Sequence, residues 1–443
     1  MRVPDIKVTP PGPRARAILE RDRAVVSPSY PRSAPFVMAR GEGAVVEDVD
    51  GNVYLDFSAG IAVAATGHSH PAIVRAITDQ ASRFLHISTD YYHEPQVALG
   101  EALAKVAPVE GHARTFFSNS GTEAVEAAIK LARYHTRRFN ILAFLGSFHG
   151  RTLGSLALTS SRTVQRAGFG PMGAGVFHAP YANPYRCPLG GAHEAASCTR
   201  ECLSFIENQI LTHLVAPDEV AAIIVEPIQG ESGYVVPPPE FLQGLAAIAT
   251  KHGMLFVVDE VQSGIGRTGK MFAIEHAGVR PDIIIAAKGI ASGLPMGVTI
   301  ARDAIMDWPA GAHSNTFGGN PVACAAALAT LELVETSLMR NAAEVGVFLM
   351  SRLRELERSH RLIGDVRGRG LMIGIELVRD RQTRERAGTE RDALVNAAFR
   401  RGLLVLAAGP NTVRLSPPLV VTKEQAETAV SILDQALAEI SNS

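Results

Sequence analysis

LFVVDE, residues 255–260, runs four apolar residues into two acids, and its reading decides the fold. A short, continuously apolar run of this kind, without polar alternation, suits a strand of a parallel sheet covered on both faces. Four more runs share the form: TFF ending at Phe117, ILAF ending at Phe144, AAIIV ending at Val225 and IIIAA ending at Ala287. Each gives way at once to polar residues or glycine: Ser118-Asn119-Ser120-Gly121, Gly146-Ser147-Phe148-His149-Gly150, Glu226-Pro227, Asp259-Glu260 and Lys288-Gly289. Helical stretches separate the runs, so the pattern is α/β. The carboxyl ends of parallel strands line one edge, and open sheets bind ligands there. An anion-cradling turn, an aromatic residue, acids and a lysine are therefore expected together on that edge.

Outward from this centre the texture changes. Arg14 to Arg23 reads as a short helix, and GEGAVVEDVDGNVYLDF (41–57) reads as two short strands about a turn at Asp50-Gly51-Asn52. Beyond about residue 336 come a long helix, the strands GLMIGIELV (370–378) and NTVRLSPP (411–418), and a final helix from Lys423. A chain of 443 residues exceeds one core of ordinary size. The expected division is a large domain over 71–335 and a smaller α+β domain over 336–443 that also takes in 1–70.

Composition narrows the function. Lys+Arg number 43 against Asp+Glu 44, so no global field favours nucleic acid or an anionic membrane. Small-molecule chemistry is left. The cysteines Cys187, Cys198, Cys202 and Cys324 are too sparse for a disulfide framework, which fits a reduced cytoplasmic setting. Cys198 and Cys202 lie near His193, but their spacing merely puts both thiols on one helix face, and no metal is expected. The opening MRVPDIKVTPPGPRAR lacks the apolar stretch of a signal peptide, and no run of about 18 apolar residues suggests a membrane span.

Three features carry the chemistry. SNSGTEA (118–124) turns a strand into a helix, whose free N–H groups and dipole favour an anion. The same residues also make an ordinary Ser/Thr cap with Glu123 in the first turn. Asp259 closes a buried strand and needs a cation. Lys288 closes the next strand, and a lysine, an acid and an anion cradle on one edge are what an aldehyde-phosphate cofactor on a pyridine ring requires. Burial and neighbouring cations should lower the lysine pKa from about 10.4, so that the free amine can form. Gly264-Ile265-Gly266-Arg267-Thr268-Gly269 matches a dinucleotide pattern, but Asp259 to Ser263 intervene between strand and first glycine, and no acid follows a later strand at the required spacing.

Taken together, GIAVAATGHSHP (60–71), SNSGTEA, FHGRT (148–152), EPIQGESG (226–233), DEVQSGIGRTGKMFA (259–273), AKG (287–289) and SNTFGGNP (314–321) resemble the class III aminotransferases of the pyridoxal 5'-phosphate (PLP) dependent fold type I. The resemblance covers nearly the whole chain. It implies a mostly parallel seven-stranded sheet in the large domain, and a PLP imine on Lys288, which also moves the proton. Asp259 would keep the pyridine nitrogen protonated and Gln262 would contact the ring hydroxyl. Ser120, Gly121 and Thr122 would hold the phosphate, Phe148 would stack on the ring and His149 would line the pocket beside it. Thr316 resembles a phosphate contact given to the other subunit, which implies a homodimer with shared sites and leaves open whether dimers pair into tetramers.

On the substrate side, Arg151 resembles the family's carboxylate clamp and Arg414 the residue that takes the α-carboxylate of glutamate, both suited to a guanidinium fork. Glu231 resembles the acid that pairs with this second arginine when a donor presents a distal amine. Ile61 stands where 4-aminobutyrate and acetylornithine types also carry isoleucine and ornithine types carry tyrosine. The implied activity is transfer of an amino group from such a donor to 2-oxoglutarate. STDYY (88–92), PYANPYRCPLG (180–190) and PPGPRARAILERD (10–22) resemble an archaeal-type branch in which some members racemise amino acids, so racemisation is the alternative.

Overall fold

In the computed structural model residues 3–190 and 194–441 are described. His193, considered above beside the cysteines, lies outside them.

Adjacent residues of the central strands face opposite ways into two separate apolar layers. Leu142, Ile223, Val258 and Ile284 belong to one buried cluster, and Ile141, Ile224, Val257 and Ile285 to the other. Burying such a side chain contributes about 1.5–3 kcal/mol, and a strand that does so on both faces has no solvent side. The result is a seven-stranded sheet in the order Ala113–Ser118, Gly297–Arg302, Ile283–Ala286, Leu255–Asp259, Val220–Val225, Asn140–Phe144 and Val176–Ala179. All strands run parallel except Gly297–Arg302, which is antiparallel to both its neighbours. The expectation of a mostly parallel seven-stranded sheet with a smaller α+β part is met.

Two strands of this sheet carry no clear signal in the sequence. Val176–Ala179 is a half-exposed edge strand containing His178. Gly297–Arg302 follows Ile283–Ala286 after a short link holding one 3₁₀ turn, Lys288–Ala291. A parallel crossover needs a dozen or more residues, so this link can only double back. The interposed strand separates the lysine strand from the Ala113–Ser118 strand that leads into the SNSG turn. A Cβ built on Gly297 would overlap the carbonyl oxygen of Ser120. Gly297→Ala is therefore expected to cost about 1–3 kcal/mol through overpacking, and to loosen the turn at Ser120. Thermal unfolding checks the first effect and PLP retention the second.

Smaller sheets complete the chain. Ile363–Arg369, Met372–Asp380, Thr412–Leu415 and Leu406–Ala408 form an antiparallel sheet in that order. Near the amino terminus the helix expected at 14–23 spans Pro13–Val25. The two expected strands are Val45–Asp48 and Val53–Asp56, with Met38–Glu42 added. Leu403–Leu404 pairs in parallel with Val53–Asp56, tying the amino-terminal strands to the carboxyl-terminal segment. Helices Met339–Ser359 and Lys423–Ser441 fill the places read for the long and final helices. The helical stretch Pro321–Ser359 is long and apolar enough to cross a membrane by length and composition, although Glu332 and Glu335 interrupt it, so that it holds no run of about 18 apolar residues. Pro321, Ala323, Cys324, Ala326 and Ala327 on it are nevertheless buried against protein.

The glycine pattern at 264–269 opens no helix. It forms consecutive turns packed on the Pro321–Ser359 stretch, where a Cβ on Gly269 would stand 2.9 Å from Cβ of Ala343 and one on Gly266 2.7 Å from Val334. Arg267 within it is fully buried and donates to the carbonyls of Leu371 and Pro417, with its guanidinium pushed down to about 10 by burial. The motif thus joins the large sheet to the carboxyl-terminal one by close packing.

Candidate active site

Strand ends on the carboxyl edge converge as their polar termini suggested. Asp259 pairs in register with Ile285 on the neighbouring strand, three residues before Lys288. A cavity of about 450 Å³ on this edge is lined by Ser120, Gly121, Thr122, Phe148, His149, Arg151, Glu226, Asp259, Gln262 and Lys288. Ligand pockets occupy about 300–1,000 Å³. Nine of the thirteen residues read as candidate site positions meet here. Glu231 and Arg414 stand beside the cavity, while Ile61 and Thr316 do not line it.

Lys288 is presented by strained backbone. Its φ is +45°, and Ala59, Gly60, Ile61 and Ala62 form a left-handed turn with φ of 46°, 62°, 66° and 61°. For the non-glycine residues this conformation costs about 1–2 kcal/mol each, and such strain collects at functional sites. The turn packs on the lysine segment, where a Cβ on Gly289 would lie 3.2 Å from that of Ala65 and 3.5 Å from the Ala62 carbonyl. Ile61 itself is 40% exposed, and Val63 is the residue of this stretch that reaches the cavity wall. Burial pushes the Lys288 ammonium below its ordinary pKa and Arg414 adds to this, while Glu231 and Asp259 oppose it. A neutral amine is thereby brought within reach.

Opposite the lysine, Asp259 Oδ2 lies 2.7 Å from His149 Nδ1, and its other oxygen accepts the Val261 N–H at 3.0 Å. Burial works against charge on His149. The hydrogen bond and charge of Asp259, helped by Glu226, outweigh it and hold the imidazole above its usual pKa. His149 Nε2 and Gln262 Oε1 are buried without hydrogen-bond partners. Orphaned polar atoms beside an acid and an aromatic wall suit a ligand that is itself a polar ring. Phe148 supplies the wall, and the Arg151 guanidinium stands 5.6 Å from its ring centroid.

The helix Gly121–Thr136 begins at this cavity. Ser120 caps it, its hydroxyl accepting the Glu123 N–H at 3.3 Å, so the ordinary capping reading holds for a turn that also lines the cavity. A Cβ on Gly121 would come within 3.0 Å of Val261, so glycine lets the backbone N–H groups approach the cavity. Thr122 Oγ1 is engaged by Thr152 and Ser155 at 2.8 and 2.7 Å.

Beyond the lysine, Arg414 Nη1 donates to Glu231 Oε1 at 2.5 Å, the arginine coming from the carboxyl-terminal sheet and the acid from the loop after Val220–Val225. Burial alone would raise the Glu231 carboxyl, but the charge and hydrogen bond of Arg414, with Lys288 and Arg162 behind them, hold it below the usual carboxylate range. Thr316 is exposed, on a segment that borders a second hollow with Thr89, Phe117, His313 and Asn315. Val63, Val261, Met296 and the buried Tyr234 beside Arg414 were not anticipated, because nothing in a loop sequence shows which way it folds back. Glu226 was visible as a strand-end acid, but its bonds were not.

The class-III aminotransferase family model matches residues 26–437. Alanine/serine racemase of Pyrococcus horikoshii is 43% identical over 99% of this chain and 94% of its own length. 4-Aminobutyrate aminotransferase of Mycobacterium tuberculosis is 40% identical over 97% of each. An amine transaminase from an uncultivated Pseudomonas species, solved with PLP bound, superposes with a TM-score of 0.87 at 33% identity, covering 93% of this chain and 98% of that one. A lysine, an acid, a helix end and an aromatic wall around orphaned polar atoms are the surroundings that such a cofactor needs, and the chain belongs to the class-III aminotransferases, with PLP as its cofactor.

Proposed function

We propose that this enzyme transfers an amino group from an ω-amino or amino acid donor of the 4-aminobutyrate, ornithine or acetylornithine type to 2-oxoglutarate, as a cytoplasmic homodimer with shared sites. The Glu231–Arg414 pair beside Lys288 carries this reading. When closed, it leaves a carboxylate facing a donor's distal amine. When opened by a competing carboxylate, it frees a guanidinium fork for the α-carboxylate of glutamate.

PLP bound here would supply an electron sink at the substrate's reacting carbon. Lys288 Nζ would hold the cofactor covalently and move the proton to and from that carbon. Asp259, fixed by His149, would keep a proton on the ring nitrogen, and the unpartnered Gln262 Oε1 would face the ring hydroxyl. Ser120, Gly121 and Thr122 would hold the phosphate at the helix end. Arg151 clamps the substrate's far carboxylate. For the dimer, the support is the position of Thr316 away from its own cavity, together with the exposed Leu85, Tyr91, Tyr92 and Phe317. For the cytoplasm, it is the set of four cysteines, which are free.

The absorbance spectrum of the purified enzyme, recorded as 4-aminobutyrate, L-ornithine and neutral L-amino acids are added without keto acid, tests the reading. Conversion of the long-wavelength band to the shorter-wavelength amine form by one donor establishes transfer and names the donor class. No such band, even with PLP supplied, overturns the assignment of Lys288.

Racemisation is the second reading, favoured by the likeness to the alanine/serine racemase. It needs proton delivery to the substrate carbon on the face away from Lys288 as well as on the lysine side. D-amino acid formed from an L-enantiomer with the band unchanged and no keto acid present would replace transfer by racemisation. Glu231→Ala is expected to lower kcat/KM for the ω-amine about tenfold or more by leaving Arg414 unpaired against an amine, while the 2-oxoglutarate half-reaction changes little. Equal ω-amine activity in variant and wild type would reject the gating pair.

A further inference from the structure

The Glu226 carboxylate is 6% exposed and makes no ion pair among the described residues. Its Oε2 accepts the N–H of Phe148 at 2.9 Å, and its Oε1 accepts the N–H of Gly230 at 3.0 Å. Phe148 is the aromatic wall of the cofactor cavity, and Gly230 immediately precedes Glu231. One buried carboxylate therefore bridges the loop that packs on the cofactor ring and the loop that carries the substrate-gating acid.

Its surroundings make the bridge stiff. Tyr181 Oη anchors the other end of the residue, donating to the Glu226 carbonyl at 2.9 Å. Two neighbouring contacts run between the same loops: Gln229 Nε2 to the Leu145 carbonyl at 2.9 Å and Ser232 Oγ to the Gly146 carbonyl at 2.5 Å. Past Glu231 the path continues, its carbonyl accepting the Gly409 N–H at 2.7 Å and its side chain pairing with Arg414. We propose that Glu226 is a positioning residue that locks the Phe148 loop and the Glu231 loop into one unit, so that the ring wall and the substrate-gating acid are set together. The inference rests on the functional reading above.

Protonation bears on this clasp. Burial pushes the Glu226 carboxyl up to about 7 and the charge of Asp259 adds to that, while His149 and the two N–H bonds oppose it. The charged groups that face it are His149 on the Phe148 loop, Asp259 on the adjacent strand and, farther off, Lys288. As pH falls through this range, one oxygen gains a proton and becomes a poorer acceptor, and the clasp loosens.

Glu226→Gln tests the clasp on the holoenzyme, because it puts an NH₂ donor against one of the two N–H donors and breaks one link at nearly constant volume. PLP release is expected to quicken about tenfold and KM for the ω-amine donor to rise about tenfold, with a smaller change in kcat and little change in the 2-oxoglutarate half-reaction. The pH dependence of KM near neutrality should flatten. In a Glu231→Ala background the KM effect should vanish while the faster PLP release remains. A variant within about twofold of wild type on both readouts overturns the proposal, as does one that loses only thermal stability, or one whose KM shift survives in the Glu231→Ala background. Should Glu226→Gln fail to fold, Glu226→Asp, which keeps the charge but is too short to span both N–H groups, takes its place with the same readouts. A wild type that converts no donor overturns the functional reading, and the clasp is then judged on PLP release, which needs no turnover.

Discussion

Lys288→Ala should abolish turnover, with kcat falling by about 10⁴-fold, the upper end of what one positioned general acid-base supplies. The cost is this large because, among the described residues, no other amine lines the cavity. Arg151 and Arg414 line or border it, but a guanidinium stays protonated and cannot take a proton from carbon. Two observations separate this outcome from simple unfolding. Overlap of the variant's far-ultraviolet circular dichroism with that of wild type would show the fold intact, and the long-wavelength absorbance of covalently held PLP should disappear even in excess cofactor. Added small amines should restore part of the rate, since they supply the missing base without the tether. Residual kcat within about tenfold of wild type would show that another group carries the proton, and the role given to Lys288 would have to be abandoned.

Asp259→Asn should follow in size. Asp259 is buried at 4% exposure, and its two oxygens hold His149 Nδ1 and the Val261 N–H. Removing one member of a buried charged pair costs about 3–5 kcal/mol. If that loss falls on the transition state, kcat drops by roughly 200- to 5,000-fold. The amide is isosteric, so Val261 keeps its acceptor and the strand end should stay in place. What is lost is the charge that holds the proton on His149 and, in the proposed mechanism, on the cofactor's ring nitrogen. His149, without that carboxylate, should titrate lower, because burial then acts on it with only Glu226 in opposition. Histidine proton resonances followed through a pH titration, beside kcat for the preferred donor, check both parts. Unchanged kcat would mean that the ring nitrogen is held by another group.

How much of this was legible in advance follows from the kind of signal each feature leaves. The five apolar runs announced buried parallel strands because a strand covered on both faces has no place for polar residues, and the residue at which each run stopped was thereby placed on the ligand edge. Ser120, Phe148, Glu226, Asp259 and Lys288 all follow from that one rule. Val176–Ala179 and Gly297–Arg302 did not, since an edge strand is half wet and a strand that starts on glycine reads as a loop. Their effect on the site is large. The antiparallel strand stands between the lysine strand and the Ala113–Ser118 strand that leads into the SNSG turn, and sets their separation.

The sequence by itself determined which side chains were available for chemistry and the edge on which they would gather, because hydrophobic patterning and the polar break at each strand end are local properties. The tertiary structure alone decided their pairing. Asp259 meets His149, Glu231 meets Arg414, and Glu226 bridges Phe148 and Gly230, across sequence separations of 110, 183 and 78 with a return of 4. Contacts of that range depend on how loops fold back over a finished sheet. The strained left-handed backbone at Ala59–Ala62 and Lys288 was likewise beyond reach, because only packing against the rest of the protein makes so unfavourable a conformation the stable one.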